Sequence, residues 1–151
     1  ISRGYATICF DLVELNDDLV NEEIQKKCVS YLEILDKNQE CHEEQKVPEK
    51  NMKGYSQFLA ELYNLNLIST ELIDKFNNVI INNIKHELDK DSNEKPDREF
   101  MEKNALCLKS LVTNVENKSL YKKYIDSLNG IKSGVKGKIR FELMDIIDLI
   151  K

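Results

Sequence analysis

Apolar residues recur at three- and four-residue spacing along almost the whole chain, with no sustained period-2 alternation of the kind a half-buried strand requires. That periodicity predicts an all-helical protein. Tyr5, Ile8, Cys9 and Leu12 form a first stripe, and after the Asp17-Asp18 cap signal Val20, Ile24, Cys28, Tyr31, Leu32 and Leu35 form a second. Tyr55, Phe58, Leu59, Leu62 and Tyr63 make a third. Ser69-Thr70-Glu71 then offers a hydroxyl cap with an acid in the first turn of a long fourth helix, whose stripe runs Leu72, Ile73, Phe76, Val79, Ile80, Ile84 and Leu88. Pro96 and Asp97 mark the turn into a fifth, Ser119 is expected to cap a sixth, and Gly130, Gly134 and Gly137 loosen the chain before a seventh.

Five Gly and two Pro in 151 residues favour long helices joined by short polar turns. About seven helices in succession suit stacked antiparallel helical hairpins, a HEAT-like α-solenoid in which each pair needs its neighbour to finish burying its apolar face. An irregular helical bundle is the alternative, because the pairs share no repeat signature. The length fits a single domain over residues 1–151, and the polar stretch at 40–51 reads as a flexible loop.

Several function classes find no support. The four cysteines, Cys9, Cys28, Cys41 and Cys107, lie too far apart for zinc-finger spacing, so no metal site is expected, and three fall on apolar stripes as buried thiols of a reducing compartment. No cofactor is expected either. No signal peptide and no run of 18 apolar residues is present, so a cytoplasmic location is the expectation and no membrane partner is foreseen. The chain opens at Ile1 and is read as a fragment of a longer protein. His42 lies in the charged loop and His86 on a polar helix face, with no nucleophile placed beside either; there is no phosphate-binding glycine motif. Catalysis, and with it a small-molecule substrate, is therefore not expected.

Charge is distributed unevenly. Residues 1–50 hold 6 Lys/Arg against 12 Asp/Glu, whereas residues 117–141 hold 7 Lys/Arg against one acid. Such segregation bears on partners rather than fold.

The closing stretch "GKIRFELMDIIDLIK" carries the most specific information. At 100° per residue, Ile139, Leu143, Ile146, Ile147 and Ile150 crowd into one arc, while Phe141 falls between Asp145 and Asp148, Met144 falls beside Arg140 and Lys151, and Leu149 also lies off the stripe. Three off-stripe apolar side chains on one short helix call for a second contact. Either Phe141 and Met144 pack within the stack, or another protein meets them.

The same stretch resembles the segment that closes the middle domain of eukaryotic translation initiation factor 4 gamma, which reads roughly S-R-I-R-F-M-L-Q-D-V-I-D-L. Two further pieces agree in order. "KGYSQFLAELYNLNLIS" is similar to L-G-N-I-x-F-I-G-E-L-Y-x-x-x-L-L at Gly54, Phe58, Leu59, Glu61, Leu62 and Tyr63, and "YATICFDL" is similar to Y-A-x-L-C-x-x-L at Tyr5, Ala6, Cys9 and Leu12. The likeness spans nearly the whole chain. It departs in lacking the helices that precede the first segment in that family, in Gly54-Tyr55 where the family has Gly-Asn, and in "IK" where the family has Arg.

The resemblance implies a non-catalytic scaffold of translation initiation that binds and activates a DEAD-box RNA helicase of the initiation factor 4A type, with RNA and other initiation factors as further partners. The candidate helicase-binding residues are Lys138, Arg140, Phe141, Met144, Asp145 and Asp148. Lys118, Lys122, Lys123, Lys132 and Lys136 form a candidate RNA-binding set, with Tyr121 and Tyr124 interleaved as stacking platforms. Lysine-rich helix faces are also commonly just solvated. The alternative reading within the same fold is an mRNA-metabolism adaptor: a poly(A)-binding-protein partner, a cap-binding subunit or a decay factor.

Overall fold

A computed structural model describes residues 2–15, 22–30, 49–90 and 95–151. The helices are α1 (Ser2–Leu15), α2 (residues 22–30), α3 (Glu49–Asn64), α4 (Thr70–Leu88), α5 (Arg98–Asn114), a 3₁₀ helix (Lys118–Tyr124), α6 (Ile125–Gly134) and α7 (Lys138–Ile150). No strand occurs among the described residues. The Asp17-Asp18 cap, Val20, Tyr31, Leu32, Leu35, Cys41, His42 and residues 40–48 of the expected loop lie outside them. Helix α3 begins at Glu49, inside the stretch expected to be loop.

The helices stack in two layers. In one, α1 packs on α3, α3 on α5 and α5 on α7; in the other, α4 packs on α6; α4 also meets α3 and α5, and α6 meets α7. This is the successive-neighbour arrangement of a helical solenoid, in which every hairpin buries its apolar face against the next. Helix α5 sits between α3, α4 and α7 and buries Met101, Ala105, Cys107, Leu108, Leu111 and Val112.

Local sequence fixes where the helices start and stop. Asn66 adopts φ 61°, and the bonds Leu67 N–H to Leu62 C=O (2.9 Å) and Asn66 N–H to Tyr63 C=O (3.0 Å) close a Schellman turn at the end of α3, with Leu62 and Leu67 both buried. Ser69 then caps α4 by accepting from Leu72 N–H at 3.1 Å, and Asp97 caps α5 by accepting from Phe100 N–H at 3.0 Å. Each satisfies an amide that would otherwise have no partner.

Polar side chains tie the layers together. The Asn64 amide spans two helix ends, donating to Asn114 C=O at 2.8 Å and accepting from Glu116 N–H at 3.0 Å. Gln25 of α2 donates to Leu67 C=O at 3.1 Å. Glu87, fully buried, pairs with Lys90 at 2.7 Å and accepts from Asp97 N–H at 3.0 Å, joining the end of α4 to the start of α5. A buried carboxylate is tolerable only with partners of this kind.

Three further features differ from expectation. Tyr5 and Ile8 are exposed, because α1 turns Ala6 and Phe10 toward the core instead. The segment from Lys118 to Tyr124 is a 3₁₀ helix capped by Asn117, whose side chain accepts from Ser119 N–H at 3.3 Å, rather than a longer sixth α-helix capped by Ser119. Gly130 and Gly134 lie within α6; Gly137 alone of the three has positive φ (66°), and turns the chain into α7.

Candidate docking surface on the terminal helix

Helix α7 has no side-chain N-cap; its first bond runs from Phe141 N–H to Gly137 C=O at 3.2 Å. It buries Ile139, Leu143, Ile146, Ile147 and Ile150, the arc read from the sequence. Phe141 is 66% exposed, Met144 40% and Leu149 38%. Lys138, Arg140, Asp145 and Asp148 are exposed beside them.

Helical phase divides these residues. Arg140, Met144, Asp148 and Phe141 follow one another around the outward side of the helix. Leu149, Lys138 and Asp145 fall on the flank shared with Glu142, where Lys109 of α5 reaches across. Lys109 Nζ stands 3.0 Å from Glu142 Oε2, a close charge contact rather than an aligned hydrogen bond, and donates to Asp145 Oδ2 at 3.2 Å. The two carboxylates, Glu142 first, hold the Lys109 ammonium above its ordinary pKa. Asp145 is thus already engaged within the chain, and Lys109, which orients it, comes from an element 36 residues away that no local pattern points to.

The candidate RNA-binding lysines do not form one stripe. Lys118, Lys122 and Lys123 lie on the 3₁₀ helix and Lys136 follows the far end of α6, a helix about 15 Å long at 1.5 Å per residue. Lys118 Nζ donates to Val115 C=O at 3.1 Å, and Lys123 Nζ pairs with Asp74 at 2.6 Å while lying 5.3 Å from the centre of the Tyr124 ring. Lys122 and Lys136 are exposed, and Lys132 is half-buried.

Tyr121 and Tyr124 do not offer stacking platforms. Both are buried, Tyr121 completely, because the 3₁₀ winding turns them together toward α4. The Tyr124 hydroxyl donates to Asp74 Oδ1 at 2.9 Å. Burial first, then that bond, pushes its pKa well up; burial does the same to Tyr121. The Asn77 amide lies close enough to both phenols to offset part of the upward shift, yet no aligned hydrogen bond joins its polar atoms or the Tyr121 hydroxyl to a partner.

His86 is exposed on α4. Among the described residues no group of three or more His, Cys, Asp or Glu could hold a metal ion, and no described helix is long and apolar enough to cross a membrane. Fold and surface together define an all-helical protein of solenoid-like packing with an amphipathic strip on its last helix. Comparison with protein-family models, curated proteins and solved structures finds no match.

Proposed function

We propose that this domain is a non-catalytic scaffold of translation initiation that binds a DEAD-box RNA helicase of the initiation factor 4A type through the outward strip of α7. The supporting observation is that Phe141 and Met144 stand in solvent on a helix whose branched aliphatic residues, apart from the partly exposed Leu149, are all buried. Around that outward side Met144 lies between Arg140 and Asp148 and Phe141 between Asp148 and Asp145, so apolar side chains alternate with charges of both signs, a mixture suited to a protein-binding site. The reading draws its partner from the resemblance of "KGYSQFLAELYNLNLIS" and "GKIRFELMDIIDL" to the initiation factor 4 gamma middle domain. A clamp of this kind acts by population shift: it stimulates the helicase to the extent that it prefers the closed arrangement of the two lobes.

The test is capture of the helicase by this domain together with stimulation of its ATPase. Phe141→Ala with Met144→Ala is expected to weaken capture at least tenfold, since burying each side chain is worth about 1.5–3 kcal/mol, and to leave the urea midpoint unchanged because neither residue is in the core. Arg140→Glu should lower stimulation as well. Equal capture by all variants overturns the proposal.

Direct RNA contact is the second reading, favoured by the charge of residues 117–141 alone. With both tyrosines buried and Lys123 paired, it reduces to phosphate neutralisation by Lys122, Lys132 and Lys136. Affinity for single-stranded RNA must then fall steeply with salt.

A further inference from the structure

A groove of about 310 Å³ opens where the end of α4, the start of α5 and the turn between α6 and α7 converge. Its floor is aliphatic: Leu88, Met101, Val135 and Ile139. Its rim carries Lys95, Arg98 and Lys136, and no carboxylate occurs among its described lining residues. Ile139 faces it from the side of α7 opposite Phe141, so this is a separate surface from the strip described above.

The three cations have no ion-pair partner among the described residues. Of the acids close in sequence, Glu87 pairs with Lys90, Asp97 accepts from the Phe100 amide and Glu99 pairs with Lys103, while Asp89 is exposed outside the groove lining and Asp91 and Glu94 lie outside the described residues. Like charges gathered around an apolar hollow repel one another, and a partner bringing carboxylates relieves that repulsion. Gly134 borders the hollow, where a Cβ would make only ordinary contact with Leu88 Cδ1 at 3.5 Å and a larger side chain would project into the space. Gly137 is constrained by its backbone, since its φ of 66° disfavours any L side chain, and a Cβ would stand 3.4 Å from Arg98 Nη2.

We propose that this groove binds an acidic linear segment of a partner protein, seating one bulky apolar side chain on Leu88, Met101, Val135 and Ile139 while flanking carboxylates meet Lys95, Arg98 and Lys136. The volume matches one or two side chains; it lies at the bottom of the roughly 300–1,000 Å³ range of small-molecule sites. Met101 in the floor adapts to irregular apolar shapes. A nucleic-acid strand fits less well, since its bases need aromatic faces to stack on and the lining has none. The inference does not depend on the helicase proposal.

The probe is a fluorescein-labelled octapeptide, Glu-Asp-Glu-Phe-Leu-Asp-Glu-Asp, followed by anisotropy with the intact domain. Replacing Phe-Leu by Ala-Ala in the peptide is expected to weaken binding about tenfold or more, and replacing its acids by Lys to abolish it. Arg98→Glu with Lys136→Glu should cost about tenfold, and raising salt from 50 to 300 mM several-fold. Gly134→Met, which plugs the hollow, should prevent binding; circular dichroism and the urea midpoint establish that the variant is folded. The peptide-side changes keep the test decisive if it is not. Binding indifferent to the Ala-Ala change would mean that the cations merely attract acids, and would overturn the proposal. So would a 12-nucleotide oligo(U) that binds more tightly than the peptide and loses affinity in the Arg98→Glu, Lys136→Glu variant.

Discussion

Asn77 is completely buried with neither side-chain polar atom hydrogen-bonded, beside a Tyr121 hydroxyl in the same condition. Leaving such groups unsatisfied costs roughly 1–3 kcal/mol, so Asn77→Leu, similar in size and without that demand, should raise the stability read from the urea midpoint or leave it unchanged. Loss of more than about 1 kcal/mol would show that the amide is satisfied in solution. Tyr121 and Tyr124 make the domain sensitive to alkali. Their pKa values are raised in the folded state, chiefly by burial. Below about pH 10 folded and unfolded chains alike hold both protons. Above it the unfolded chain releases them while the folded chain retains them, so stability falls as pH rises through that point. Urea midpoints between pH 8 and 11 should decline, and Tyr124→Phe should flatten the decline while lowering the plateau by the worth of the Asp74 hydrogen bond, about 1–3 kcal/mol.

Helices were legible where local chemistry marks both ends. Ser69 and Asp97 cap α4 and α5, and the stripe read for α4 lies on its buried side, with Val79 and Leu88 half-buried at its edge. The Schellman turn at Asn66 explains the sharp stop of α3, and Asn66→Val should destabilise the domain by about 1–2 kcal/mol, measurable as a lower melting temperature, while Asn66→Gly should be tolerated. Elements whose face is chosen by a partner were harder to read. Tyr5 and Ile8 share helical spacing with Leu12, but which arc of α1 is buried depends on where α3 lies, and Ala6 and Phe10 face the core. Residues 118–124 carry helix-like spacing, and nothing local distinguishes 3₁₀ from α winding; the change of pitch is what buries Tyr121 and removes the stacking platforms. The outward residues of α7 could be read from a wheel because its core arc is uninterrupted. The groove could not, because Leu88, Met101 and Val135 converge only after three helices have packed.

At the scale of the whole molecule, the principal packing runs between successive helices of one layer, with α4 and α6 alongside. Stability in such a stack is approximately a sum of neighbour terms. Helix α5, enclosed by α3, α4 and α7, should show the slowest amide hydrogen exchange, and α1 the fastest among the helices of its layer. Uniform protection across α1, α3, α5 and α7 would contradict this and indicate one cooperative unit. The same series arrangement has a mechanical consequence. Tension applied between α1 and α7 passes through α3 and α5 in turn, with no strand ladder among the described residues to bear the load in parallel, so the domain should yield under a steady pull in several small extensions, as a spring does, and recoil when released.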